Sequence, residues 1–130
     1  MVEFALTLVV ILLLLAGVVD LGRAIFTYLS LRDAAQEGAS FASYNPTDTA
    51  GIEARACASS ITVQDLCDAG LVAPPEISIV GPACNGSSVT VSVSYPNFQL
   101  VTPFLGAVIG SQTIPIRASI TDTILVPPCP

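Results

Sequence analysis

From Phe4 to Val19 the chain carries no charge, and Thr7 is its one clearly polar residue. Glu3 stands just before this run. The pattern then changes without a break. Asp20, Arg23, Thr27, Ser30, Asp33, Glu37 and Ser40 recur at spacings of three and four and make one polar stripe. Leu21, Ile25, Tyr28, Leu31, Ala35, Ala39 and Ala42 follow another face. Proline is absent before Pro46, and Asn45-Pro46 is a natural stop. The pattern predicts one helix over Met1–Tyr44, ~66 Å long at ~1.5 Å per residue, greasy all round in its first half and amphipathic in its second. Toward its end the apolar face shrinks to Ala34, Ala35, Gly38, Ala39 and Ala42. Small residues let another backbone approach closely, so Ala35, Gly38, Ala39 and Ala42, with Gly17 and Gly22 nearer the start, are the helix-packing candidates. The chain's own sheet is the plain choice of partner for the upper group.

Pro46–Gly70 reads as a helical connector. Asp48 or Thr49 caps a short helix running to about Ala58. A second start signal places Thr62 at the N-cap, Asp65 at N3, and Ile61 with Leu66 as a hydrophobic staple; Gly70 ends that helix. From Pro75 the period falls to two. Ile77 and Ile79, then Val89, Val91, Val93 and Tyr95, then Ile114, Ile116, Ala118 and Ile120 alternate with polar neighbours. Pro115 puts the third strand at an edge. Thr102–Gly110 reads as a short helix between the second and third strands, with Pro103 at N1, and it is unusually apolar for a connection. The expected architecture is α+β: a long N-terminal helix packed on a small antiparallel three-stranded meander. Residues 1–44 form the helix, with a membrane or stalk segment at 4–19, and residues 45–130 form a globular head.

Composition sharpens this picture. At 130 residues the chain holds one small domain plus an extension. Its mean hydropathy is +0.76, and charged residues make up 11%, well under the usual quarter; both point to a membrane or a packed assembly. The uncharged run of 16 residues spans ~24 Å, short of the ~20 residues a spanning helix prefers. Extension to Val2 and Leu21, or local thinning, closes the gap. A cleaved signal peptide is the alternative, but it calls for a basic flank and a small-residue cleavage site. A net charge of −6 with four Arg and no Lys disfavours nucleic acid as a partner. The absence of His and Lys removes Ser-His and Ser-Lys nucleophile pairs and the commonest metal ligand. No catalytic residue, metal site or cofactor is expected, and an enzyme is the least favoured reading.

Four cysteines, Cys57, Cys67, Cys84 and Cys129, suggest two disulfides in an oxidising compartment. A four-cysteine zinc site is the rival, although it usually wants closely paired knuckles. In the meander, Cys84 just before the second strand and Cys129 just after the third fall at the same end of the sheet. This favours Cys84–Cys129 with Cys57–Cys67, while two other pairings stay open. The first bridge would hold a Pro-rich tail with little else to anchor it. Asn85-Gly86-Ser87 is a glycosylation sequon whose plainer reading is a turn between strands. Asp65 and Asp68 read as a solvated helix face rather than as metal ligands. Asp33 and Glu37 are like charges one turn apart, mildly unfavourable within a helix; a neighbour's Arg23 or Arg32 would offset them.

Val2-Glu3-Phe4-Ala5-Leu6, the aliphatic run, Asp20-Leu21-Gly22-Arg23-Ala24 and Ala34-Ala35-Gln36-Glu37-Gly38-Ala39 together resemble TadE-like proteins, pseudopilins of the tight-adherence branch of the type IV filament superfamily. The match covers about the first 44 residues; beyond them only the layout of short helices and then strands is similar. The resemblance implies a type IV pilin-like fold. It also implies removal of a short basic leader by a prepilin peptidase, residence in the bacterial inner membrane, and transfer by the pilus assembly machinery into an extracellular filament of many copies. The acid of pilin-like proteins that pairs with a neighbour's terminal amine matches Glu3, which is third in this numbering where the family's usual acid is fifth in the mature chain. Glu3 and Phe4 are thus the subunit-docking candidates. The leading expectation is a structural filament subunit. A minor pseudopilin that primes assembly, or a signal-anchored extracytoplasmic binding module, stand as alternatives.

Overall fold

The computed structural model describes residues 2–102, 106–107 and 109–129. Helix α1 runs from Val2 to Ala42, 41 residues and ~62 Å, ending two residues before the expected Tyr44. Its upper part is seated on the sheet: Leu31, Ala34, Ala35, Ala39 and Ala42 are wholly buried. Small side chains make this seating close. A methyl group added at Gly38 would stand 3.2 Å from Val91 Cγ1 and 3.5 Å from both Ala56 and Ile52.

Helix α2 (Thr49–Cys57) begins where Asp48 accepts the Gly51 N–H at 3.0 Å. Helix α3 (Ile61–Asp68) is capped by Ser60, whose extended backbone lets its hydroxyl accept the Val63 N–H at 3.3 Å. This corrects the expected Thr62 cap. The oxygen of a cap must reach the N–H three positions on, and starting two residues earlier puts Val63 in the core. Ile61 is 80% exposed, so it forms no staple with Leu66. Gly70 at φ +66° closes the helix, with its N–H on the Cys67 carbonyl and that of Leu71 on the Leu66 carbonyl, a Schellman ending that needs glycine's left-handed freedom. A disulfide joins Cys57 on α2 to Cys67 on α3, with Cα atoms 6.0 Å apart.

Strands β1 (Ala73–Val80), β2 (Ser88–Gln99) and β3 (Thr113–Thr123) form an antiparallel sheet in the order β1-β2-β3. Pro115 lies on edge strand β3. Val89, Val91 and Val93 send their side chains to the core with Ile116 and Ala118. Cross-strand hydroxyl pairs join Thr90 to Thr121 at 2.7 Å and Ser92 to Ser119 at 2.8 Å, while Arg117 pairs with Glu76 across the sheet. Helix α1 packs across β2 and β3, and α2 covers part of β1. Beyond Gln99 the ladder gives way to a connection in which Gly106, Ala107 and Ile109 are helical and Gly110, at φ +80°, ends the turn. The expected Pro103 at its first turn lies outside the described residues.

Ser88 and Thr123 are register partners, and just beyond them Cys84 is bonded to Cys129. The tail has more to hold it than its proline content suggests. Ile124 is fully buried. The Asn85 N–H donates to the Pro127 carbonyl, the Gly86 N–H to the Ile124 carbonyl, and the Leu125 N–H to the Ser43 carbonyl at the top of α1. The Asn85-Gly86-Ser87 sequence is thus a turn, with Gly86 at φ +94°.

Candidate functional site

The lower stalk is the feature the fold leaves unaccounted for. Each large apolar side chain from Phe4 to Val19 is at least 42% exposed, and Phe4 reaches 75%. Thr7, the polar interruption, donates its hydroxyl back to the Glu3 carbonyl, so it adds no unsatisfied group to the apolar surface. Glu3 is exposed and, among the described residues, has no ion-pair partner. The helix-packing candidates divide. Ala35, Gly38, Ala39 and Ala42 are spent on the chain's own head, whereas a Cβ added at Gly17 or Gly22 would meet nothing within 4 Å.

At the boundary between free and covered stalk stands Asp20, which is 1% exposed. Its carboxylate accepts the N–H of Val101 at 3.1 Å, the N–H of Thr102 at 2.7 Å and the Thr102 hydroxyl, and Arg23 lies 3.6 Å away. Charge-assisted bonds of this kind are the stronger sort, and together they offset the cost of taking a carboxylate from water. Asp20 thus clasps the β2–β3 connection onto the stalk. The helical pattern places Asp20 on a polar stripe, and Thr102 reads as a helix cap, but nothing in spacing joins residues 82 apart in the chain. The available signal was the apolar character of the connection, which needs a partner surface. Below the clasp lies an apolar groove of about 650 Å³ between the stalk from Val10 to Ala24 and a wall formed by Leu100, Thr102, Ile109 and Ile114.

Three of the four arginines are engaged within the chain: Arg23 with Asp20 and 5.4 Å above the Phe98 ring, Arg55 5.7 Å above the Phe41 ring, and Arg117 with Glu76. Arg32, Asp33 and Glu37 are exposed, and among the described residues none has an ion-pair partner. No group of His, Cys, Asp or Glu able to hold a metal is found among the described residues, and both cysteine pairs are disulfide-bonded.

The geometry defines a class: a disulfide-stapled α+β head carried on a single helix long and apolar enough to cross a membrane. The family described as TadE-like protein matches residues 1–40. The match therefore falls on the stalk, from the uncharged run through the small residues that seat it on the sheet. No curated protein and no solved structure matches the chain.

Proposed function

We propose that the protein is a structural subunit of an extracellular Tad-like pilus. The observation that carries this reading is the uncovered apolar stalk, on the same residues that match TadE-like proteins. Burying a Leu, Val, Ile or Phe side chain is worth about 1.5–3 kcal/mol, so a dozen left exposed call for a second apolar environment. The inner membrane supplies it before assembly and the stalks of other copies afterwards, with heads outward. A prepilin peptidase and the pilus assembly machinery act between the two states. Gly17 and Gly22 offer close approach to a neighbouring helix. Glu3, at the tip, is a carboxylate at the edge of hydrocarbon, costly unless paired; a neighbour's terminal amine is its partner, and the helix dipole favours an acid there. Phe4 packs beside that contact. Because Arg23 is held by Asp20 and Phe98, Arg32 is the arginine free to meet a neighbour's Asp33 and Glu37.

The test is immunogold imaging of material sheared from cells, with antibody to the head. Label along the whole fibre is the expected result. Label confined to fibre ends would assign a minor, priming pseudopilin. A monodisperse membrane protein with no fibres would assign a signal-anchored binding module. Glu3→Gln should lower incorporation into fibres while leaving the amount of membrane-resident protein unchanged.

A further inference from the structure

Asp20 ends the uncharged run in the sequence, but the fold takes it off the surface. With its carboxylate covered by Val101 and Thr102, the exposed surface of α1 carries no charge from Phe4 to Gly22. That band is 19 residues, ~28 Å at ~1.5 Å per residue, and it matches a hydrocarbon core of ~30 Å, which the bare run of 16 residues does not. Glu3 bounds it at one end. At the other stands Arg23, whose half-exposed side chain is long enough to keep its head in the polar layer.

The element that hides Asp20 is the β2–β3 connection. Residues 100–112 contain no Asp, Glu, Lys or Arg. Leu100, Thr102 and Ile109 stand beside the stalk between Val10 and Ala24, so a bilayer that covers α1 up to Gly22 covers them too. Backbone outside regular structure is tolerated at membrane depth only where its polar groups are satisfied. Among the described residues of the connection, the Leu100 N–H donates to the Gln112 carbonyl, those of Val101 and Thr102 to Asp20, and that of Gly110 to the Gly106 carbonyl. Among the described outward residues, Val101 is 70% exposed and Ile109 56%, while Ser111 and Gln112, at the β3 end of the connection, are exposed and polar, with the Ser111 hydroxyl donating to the Thr113 carbonyl. The groove behind them is apolar except for Asp20 and Thr102, which bond each other.

We propose that, in the membrane-resident protein, the β2–β3 connection at Val101 and Ile109 enters the bilayer beside α1 and lipid acyl chains fill the groove between them. The clasp is then the device that lets the head dip into hydrocarbon without exposing a charge. The proposal rests on the membrane residence of the stalk. Its test uses the full chain, one copy per lipid nanodisc. The native cysteines are all disulfide-bonded, so a single introduced thiol carries an environment-sensitive nitrobenzoxadiazole label, placed by Ile109→Cys, by Leu12→Cys in the stalk, or by Ala54→Cys on α2. Replacing the lipids with acyl-brominated ones should quench the Ile109 label nearly as much as the Leu12 label, and several times more than the Ala54 label. An Ile109 label that behaves like the Ala54 label while the Leu12 label is quenched would overturn the proposal and leave the stalk reading intact. If the Leu12 label is not quenched either, membrane residence fails and the proposal with it. Emission that shifts with the number of copies per disc, but not with bromination, would give the groove to a second copy and overturn it equally.

Discussion

Leu12 and Leu31 are the same residue on the same helix, yet Leu12 is 55% exposed and Leu31 is fully buried. Below Asp20 the helix presents large aliphatic side chains that its own head does not cover. Above Ser30 it presents Leu31 and then alanines, all covered. The part with the smaller side chains is the part that is buried. Hydrophobicity alone therefore does not decide which stretch of α1 enters the core. Close approach does: the sheet reaches the helix where Gly38 leaves room for Val91, and dispersion contacts need that proximity. The lower stalk leaves its large side chains uncovered by the chain's own head.

The largest effect that bears on this contrast should come from Leu31→Ala. Emptying a fully buried leucine site costs about 2–5 kcal/mol, read as lost stability in denaturant unfolding of the full chain in detergent. A loss no larger than a typical surface substitution, within about 0.5 kcal/mol, would mean that the head is not seated on α1. Asp20→Asn acts at the boundary. Its amide keeps the shape but gives up the charge on which the N–H groups of Val101 and Thr102 close. Hydrogen exchange at those two amides should quicken while that of Val91, on the central strand, stays as slow as before. Equal acceleration at both places would make the clasp part of the global core rather than a local lock. Leu12→Ala should do least to the head, shifting its unfolding by no more than about 0.5 kcal/mol, with its cost appearing in membrane partitioning. A loss of head stability comparable to that of Leu31→Ala would erase the distinction between the two halves.

Much of the fold was legible. Period two over Val89–Tyr95 and Ile114–Ile120 marked two strands, Pro115 marked an edge, and uninterrupted helical spacing marked α1. What spacing reports is which face a residue shares, not what lies opposite that face. Hence the stripe containing Asp20 was visible while its partner, Thr102, was not. The Ser60 cap was missed for a local reason: Ser60 and Thr62 both suit a cap, and the choice fell to Val63, whose burial needs the earlier start. The tail was misjudged because its anchors are backbone groups of residues 85–87 and Ser43, which no side-chain pattern announces. As for the site, the apolar stalk was plain, whereas the division of its small residues between the head and open space depended on the packing distance at Gly38.

The bond between Cys84 and Cys129 has a mechanical consequence. Its two ends are 45 positions apart in the chain, and β2, the connection and β3 all lie between them. An extended chain reaches at most ~3.3–3.6 Å per residue, so an unbridged segment of that size would pay out about 150 Å under tension. A pull between the stalk and the tail runs instead through the two sulfur atoms and bypasses the hairpin. Under such a load β2 and β3 are shielded, and the strain falls on the seating of the sheet against α1 and on β1, which precedes Cys84 in the chain.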